Sequence, residues 1–135
     1  MFLGQFDHTI DAKGRMAVPA KFRGQLEEGA IISKGKGRCL SVYTMQRWEE
    51  KSAELVAGKS SDALREIERR IYASASEVEL DGQGRLVIPV KLRTYAQLDS
   101  EVTVAGVRDH IEIWGRSAWL EYEAKLEQGG EENPF

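Results

Sequence analysis

Apolar and polar residues alternate in short stretches of this chain, which is typical of strands that bury one face of a sheet. The alternating stretches fall into two groups: residues 4–11, 15–18, 30–33 and 39–43, and then 77–81, 85–88, 102–106 and 110–114. Within each group, the first two stretches are joined by a turn that contains Asp and Gly, which favour tight turns. The pattern therefore predicts two hairpins, each followed by a second pair of strands.

In the remaining segments, apolar residues recur at the spacing of a helix. Pro19 and Pro89 end the second strand of each group and suit the first turn of a short helix, because Pro has no N–H to donate. Two amphipathic helices are predicted between the groups, with a break at residues 57–61. Their apolar positions are Trp48, Leu55 and Val56, and then Leu64, Ile67 and Ile71. A last helix is predicted from Ser117, followed by a loose polar tail at residues 127–135.

The two groups are copies of one unit. Residues 10–23 overlay residues 80–93 at a constant offset of 70 without a gap, and six of these fourteen positions are identical. Composition alone would give roughly one match in fifteen per position. The identical residues are Asp11, Gly14, Arg15, Pro19, Lys21 and Arg23 in the first copy, and Asp81, Gly84, Arg85, Pro89, Lys91 and Arg93 in the second.

This repeat defines the predicted organisation of the chain. Residues 4–48 form the first copy, 49–76 a helical spacer, 77–120 the second copy, and 121–135 the end of the last helix with the loose tail. A two-stranded hairpin is marginal in water, so neither copy should bury a core alone. We expect both copies to pack together as one small β-barrel with pseudo-two-fold symmetry, flanked by helices. The predicted fold class is α+β.

Charge is distributed unevenly along the chain. Hydrophobic residues make up 41% and charged residues 30% of the 135 residues, which indicates a globular protein and not a disordered one. The overall charge of −3 conceals a net +3 over residues 1–38 and a net −4 over residues 117–135. A polyanion should therefore meet the first copy.

Several classes of site and location are disfavoured. Cys39 is the only cysteine, so an internal disulfide is excluded and a zinc–thiolate site is not expected. His8 and His110 are too few and too far apart in sequence to suggest a metal site, and residues 35–38 lack the spacing of a phosphate-binding loop. No nucleophile–base arrangement stands out, so we predict neither an enzyme nor a cofactor. We also expect no membrane span and no signal peptide, which fits a cytoplasmic protein.

The turn residues allow two interpretations. Asp11 and Arg15 flank the first turn, and Asp81 and Arg85 flank the second at the same spacing. Each pair could be a surface ion pair that holds the hairpin shut, worth up to about 1 kcal/mol. Alternatively, Asp could fix the loop while Arg, together with Lys13, faces a phosphate or a base edge. The residues alone favour the ion pair.

A family resemblance favours the second interpretation. The pattern Asp-x-x-Gly-Arg-x-x-x-Pro between strands resembles the SpoVT-AbrB swapped-hairpin DNA-binding domains. Two copies in a chain that begins MFLGQFDHTIDAKGRMAVPAKFR resemble the MraZ family. That resemblance implies a nucleoid-associated transcriptional regulator, expected to be a repressor, that binds tandem direct repeats upstream of the bacterial division and cell-wall gene cluster. It also implies assembly into a ring-shaped homo-oligomer, an octamer or a dodecamer.

The resemblance further implies that contacts with double-stranded DNA centre on Arg15. The predicted DNA-binding residues are Arg15, Lys13, Gly14, Lys21, Arg23, Lys34, Lys36 and Arg85, and the predicted structural residues of the motif are Asp11, Asp81, Gly84, Pro19 and Pro89. Gln83 stands where the first copy has Lys13, which makes the second copy a weaker match. An antitoxin-like scaffold that binds protein, without direct DNA contact, would share the hairpin fold and stays open as the alternative.

Overall fold

The computed structural model describes residues 1–129 and 132–135. The strands it describes are β1 Phe2–Thr9, β2 Arg15–Ala17, β3 Ala30–Lys34, β4 Leu40–Thr44, β5 Ser76–Val78, β6 Arg85–Val87, β7 Glu101–Arg108 and β8 Ile111–Gly115. The α-helices it describes are α1 Ala20–Arg23, α2 Met45–Val56, α3 Ser61–Ile71, α4 Val90–Tyr95 and α5 Arg116–Gln128. The architecture is α+β with antiparallel strands, as predicted.

Strands of the two copies lie together in the same sheets. One sheet has six strands in the order β1-β7-β8-β4-β3-β5, and a second sheet pairs β2 with β6. The first strand of each copy pairs with the third strand of the other copy, β1 with β7 and β5 with β3. Exchanging the copies reproduces the same order, so the pairing has a two-fold relation. An isolated bridge between Ile10 and Met16 links the two sheets.

Equivalent residues of the two copies meet in one core. The fully or almost fully buried pairs are Met16 with Leu86, Val18 with Ile88, and Phe22 with Leu92. Phe2 and Phe6 of β1 pack edge-to-face on Phe22, with ring centroids 5.3 and 5.4 Å away. Truncating a buried Phe to Ala typically destabilises a protein by about 3–5 kcal/mol. The core therefore depends on side chains from both halves of the chain.

Several predicted boundaries were wrong. The first strand begins at Phe2 and not at residue 4, because it pairs along its full length with β7, from Phe2 opposite Arg108 to Thr9 opposite Glu101. The corresponding strand β5 covers only three residues, which pair with the first three residues of β3. The last helix continues to Gln128, so the predicted tail is helical at its start. Residues 130–131 of that tail lie outside the described residues.

Candidate nucleic-acid interface

The first turn is organised by the carboxylate of Asp11. Its Oδ1 atom accepts hydrogen bonds from the backbone N–H groups of Lys13 and Arg15, each at 2.9 Å. Its Oδ2 atom accepts a hydrogen bond from Arg15 Nε at 2.6 Å. Gly14 has a φ of +82°, a left-handed conformation that favours glycine. The backbone N–H of Arg15 and its guanidinium hold the pKa of Asp11 below its usual value, so the carboxylate is ionised at neutral pH.

The second turn repeats this geometry. Asp81 accepts from the backbone N–H groups of Gln83 and Arg85 at 2.9 Å and from Arg85 Nε at 2.8 Å. Gly84 has a φ of +75°. The backbone N–H of Arg85 and its guanidinium likewise lower the pKa of Asp81. The two turns differ at their tips, where Lys13 stands in the first and Gln83 in the second.

The ion pair leaves part of the Arg15 guanidinium available. Asp11 engages only the Nε atom, and among the described residues neither Nη atom of Arg15 has a hydrogen-bond partner. The Arg15 side chain is 33% exposed. A guanidinium fixed at one edge presents its remaining N–H groups in a planar fork that fits a phosphate or a guanine edge. The ion pair therefore serves both interpretations of the motif, since it closes the hairpin and orients the arginine.

Each turn also rests on an arginine of the other copy, a feature that the sequence interpretation missed. Arg93 Nε donates to the carbonyl oxygen of Ile88 at 3.0 Å, and a Cβ placed on Gly14 would lie 3.0 Å from Arg93 Cζ. Arg23 Nε donates to the carbonyl oxygen of Val18 at 2.9 Å, and a Cβ on Gly84 would collide with Arg23 Nε. Both arginines are identical in the two copies, and this identity was the signal in the sequence that could have revealed their shared role.

Backbone hydrogen bonds reinforce this exchange between copies. The N–H of Val18 donates to the carbonyl oxygen of Gly84 at 2.9 Å, and the N–H of Ile88 donates to the carbonyl oxygen of Gly14 at 2.8 Å. Arg23, predicted to bind DNA, is half-buried at this junction. Its Nε atom donates to the Val18 carbonyl and its guanidinium lies beneath Gly84, so Arg23 supports the second turn. Its predicted contact with DNA stays a prediction.

The other predicted basic residues occupy two places. Lys13 and Lys21 are exposed near the first turn and on α1. Lys34 and Lys36 are exposed at the β3–β4 turn, where Lys34 Nζ lies 5.1 Å from the ring centroid of Tyr95. No described hydrogen bond or ion pair connects Lys34 or Lys36 with the Asp11–Arg15 turn. Lys13 and Lys21 therefore belong to the first turn and the helix after it, and Lys34 and Lys36 to the β3–β4 turn.

Pro19 and Pro89 lie directly before α1 and α4, the position that their missing N–H suits. Their carbonyl oxygens accept the first hydrogen bonds of the short helices that follow, from Phe22 at 2.8 Å and from Leu92 at 3.0 Å. Both prolines therefore connect a motif strand to the helix that carries the supporting arginine.

A charged cluster lies beside β8. Arg47 Nε is 2.8 Å from Asp109 Oδ2, and the ring nitrogens of His110 are 2.8 and 3.0 Å from Asp109 and Glu112. Burial favours the neutral form of Asp109, but the hydrogen bonds of His110 and Arg47 outweigh it and lower the pKa of Asp109 to about 2. Burial also opposes the charge on His110, yet Glu112 and Asp109 raise its pKa overall. The cluster joins α2 to the second copy.

The sequence of this chain matches one family of known proteins. The sequence model of a family described as "MraZ protein, putative antitoxin-like" matches residues 1–70 and again residues 71–135. The chain belongs to the MraZ family. The transcriptional regulator MraZ of Moorella thermoacetica is 48% identical over 123 residues, which cover 90% of this chain and 86% of that relative. Family membership confirms the prediction of a transcriptional regulator that is not an enzyme.

Neither a membrane-spanning helix nor a metal-binding cluster is found in the part of the chain that the structure describes. In residues 1–129 and 132–135, no helix is both long enough and apolar enough to cross a membrane. Within the same ranges, no group of three or more His, Cys, Asp or Glu side chains is arranged to hold a metal ion.

Proposed function

We propose that this protein is a sequence-specific DNA-binding transcriptional repressor that reads double-stranded DNA with its Asp11–Arg15 turn. The observation that supports this most is the Arg15 guanidinium, held by Asp11 through Nε with both Nη atoms unpartnered among the described residues. Two N–H groups of one arginine can donate to O6 and N7 of guanine in the major groove, a contact worth about 1–3 kcal/mol of discrimination. The same fork can instead clamp a phosphate.

Neighbouring residues have complementary roles in this proposal. Lys13 and Lys21 supply positive charge near the turn, and Gly14 supplies the left-handed backbone conformation that the turn between Lys13 and Arg15 requires. Lys34 and Lys36 would contact the DNA backbone farther away, and Arg23 would act by supporting the second turn. Arg85 has the same geometry as Arg15 but a neutral Gln83 beside it, so we propose a weaker contact there.

The proposal also covers targets and assembly. The family resemblance supports tandem direct repeats upstream of the division and cell-wall gene cluster, a cytoplasmic and nucleoid-associated location, and a ring-shaped octamer or dodecamer. One turn provides few contacts, so several protomers on repeats spaced about one helical turn, near 10 base pairs, would multiply the affinity.

We propose that the two sheets close as a small barrel of swapped hairpins, which the exchange of β1 and β5 between copies supports. The repeat units would be residues 4–48 and 77–120, with 49–76 as spacer and 121–135 as helix end and tail.

The experiment measures binding of the purified full chain to the DNA upstream of its own gene and to a shuffled duplex of equal length. Fluorescence anisotropy at about 50 and 200 mM salt should show tighter binding to the upstream DNA, by roughly a thousandfold or more, and a steep loss of affinity with salt. Equal affinity for both duplexes would contradict sequence-specific recognition.

The antitoxin-like scaffold is retained as a second candidate because the family description itself contains the word antitoxin-like. A scaffold of this type would bind a protein partner and would need no basic face. Retention of the chain on heparin at low salt separates the two candidates cheaply. A chain that neither binds its upstream DNA nor is retained on heparin would favour the scaffold.

A further inference from the structure

His110 lies in the charged cluster beside β8, and each of its two ring nitrogens faces a carboxylate. Nδ1 lies 2.8 Å from Asp109 Oδ1, and Nε2 lies 3.0 Å from Glu112 Oε2. The His110 side chain is only 13% exposed. The two carboxylates are therefore its polar partners in the described part of the chain.

Only the charged form of histidine satisfies two acceptors at once. A neutral imidazole has one N–H and one lone pair, whereas an imidazolium has two N–H groups. A neutral His110 would therefore direct its lone pair at the carboxylate of Asp109 or of Glu112. Burial opposes the charge on His110, but the hydrogen bonds with Glu112 and Asp109 outweigh burial and raise its pKa above 6.5. The arrangement of the ring is that of an imidazolium.

Each carboxylate also binds a residue that connects to another helix. Asp109 Oδ2 accepts a hydrogen bond at 2.8 Å from Nε of Arg47, which belongs to α2. Glu112 Oε1 accepts a hydrogen bond at 3.0 Å from Nε1 of Trp114, and Trp114 packs against α5. A carboxylate that turned away from a neutral His110 would therefore weaken one of these two contacts.

A row of aromatic rings extends from His110 to the helices between the two copies. The imidazole stacks on Tyr43 of β4, with centroids 4.8 Å apart and planes 21° apart. Tyr43 lies 6.1 Å from Trp48 of α2, and Trp48 lies 6.0 Å from Tyr72, which follows α3. A cation within about 6 Å of an aromatic face is attracted to it. Protonation of His110 therefore strengthens the first contact in this row.

The other titratable groups around His110 do not gain or lose charge as a histidine does near neutral pH. In the part of the chain that the structure describes, the groups that face the cluster are Asp109 and Glu112 beside β8, Tyr43 and Cys39 at β4, and Arg47 with its partners Glu50 and Glu54 on α2. Burial raises the pKa of Tyr43 above 10 and that of Cys39 to about 12, so both are neutral. Histidine is the side chain whose ordinary pKa lies between pH 5 and 8.

We propose that protonated His110 is a pH-sensitive switch that holds α2, and with it α3, against the β7–β8 turn of the second copy. Because the pKa of His110 is higher in the folded protein than in the unfolded chain, its stabilising contribution is fully present below pH 6.5 and is lost as the pH rises through the raised pKa. The two helices are thus held most firmly in mild acid and open more readily in alkaline solution. None of the residues proposed to bind DNA takes part.

The protonation of the ring is measured by magic-angle-spinning NMR of the full chain labelled with 15N only at histidine. The chain has two histidines, and the variant His8→Gln leaves the signals of His110 alone. The titration midpoint of His110 should lie above pH 6.5, whereas burial and Arg23 lower the pKa of His8 below that value. A His110 midpoint at or below pH 6.5 would place the shared proton on a carboxyl group and overturn the proposal.

The opening of α2 is measured by hydrogen–deuterium exchange at about pH 6 and pH 9, corrected for the intrinsic pH dependence of exchange. In the wild type, the opening of α2 should increase by roughly threefold or more at the higher pH. His110→Gln has no titrating ring, so α2 should open equally at both pH values. His8→Gln is the matched control because it makes the same substitution at the other histidine, and it should retain the increase.

A second variant keeps the test decisive if thermal melts show that His110→Gln fails to fold. Glu112→Gln retains the ring and an oxygen that can accept from Trp114, but it removes one negative partner of His110. It should lower the His110 midpoint and shift the opening of α2 to lower pH by the same amount. An unchanged midpoint in Glu112→Gln, or the same increase in wild type and His110→Gln, would overturn the switch.

Discussion

Substituting Gly84 with alanine tests whether the copies support each other's turns. Gly84 has a φ of +75°, and a Cβ there would collide with Arg23 Nε. A non-glycine residue in the left-handed region costs about 1–2 kcal/mol. Displacing Arg23 would also break its hydrogen bond to the Val18 carbonyl, a charged-donor bond worth roughly 1.5–3 kcal/mol. We therefore expect Gly84→Ala to destabilise the protein by about 2.5–5 kcal/mol.

The same turn supplies the control. Gly82 does not have a positive φ, and a Cβ there would meet nothing within 4 Å. Gly82→Ala should therefore be neutral or stabilising by up to about 1 kcal/mol, because alanine lowers the conformational entropy of the unfolded chain. Urea unfolding followed by circular dichroism gives both free energies of unfolding. Equal effects of the two substitutions would refute the packing of Arg23 on Gly84.

A double-mutant cycle measures the interaction between Arg23 and Gly84 separately from the backbone cost. In an Arg23→Ala background the collision is absent, so Gly84→Ala should cost only the backbone part, about 1–2 kcal/mol. The coupling free energy between the two positions should then be roughly 1–3 kcal/mol. Additive effects would mean that Arg23 does not pack on Gly84.

Three further predictions concern charge, pH and chemistry. Lys13→Ala should weaken binding to all duplexes about equally and reduce the slope of log affinity against log salt by roughly one, measured by anisotropy. Asp109 has a pKa of about 2 in the folded protein and of 3.8 in the unfolded chain. Its contribution to the free energy of unfolding is therefore present above pH 3.8 and is lost as the pH falls towards 2. Asp109→Asn should therefore lose less stability than the wild type between pH 7 and pH 3, by about 1 kcal/mol in urea titrations; equal losses would contradict this. Burial raises the pKa of the Cys39 thiol to about 12, so a thiol reagent at pH 8 should label it only after unfolding, and rapid native labelling would contradict that burial.

Local features of the fold could be predicted from the sequence because they arise from neighbouring residues. Asp, Gly and Arg at fixed spacing form the same turn in both copies, and alternation identifies the buried positions such as Met16 and Leu86. The identity of strand partners could not be predicted, because a period of two indicates which face is buried and not which strand lies beside it. That limit explains why the length of β1 was missed, since its first residues pair with β7 more than ninety residues away.

The candidate site was predictable only in part, for a related reason. Asp11 and Arg15 are four residues apart, so their contact is local. Arg93 reaches Gly14 only because the copies exchange hairpin neighbours, which brings distant segments together. Arg23 is predicted to contact DNA because it is basic and follows the first motif closely; its contact with Gly84 of the second turn could not be predicted, because it depends on how the copies pack.

The central claim is that the first turn reads DNA through Arg15, and it is tested most directly by comparing Arg15→Ala with Arg85→Ala. Both variants remove an arginine from the same local geometry, so effects on turn stability are matched. Affinity for the upstream repeat and for a shuffled duplex is measured by anisotropy, with thermal melts alongside. Arg15→Ala should lose roughly tenfold to a hundredfold in the ratio of specific to non-specific affinity per protomer, as expected for a lost guanine contact of about 1–3 kcal/mol. Arg85→Ala should change that ratio much less. Equal losses at equal stability, or an unchanged ratio in Arg15→Ala, would contradict the account.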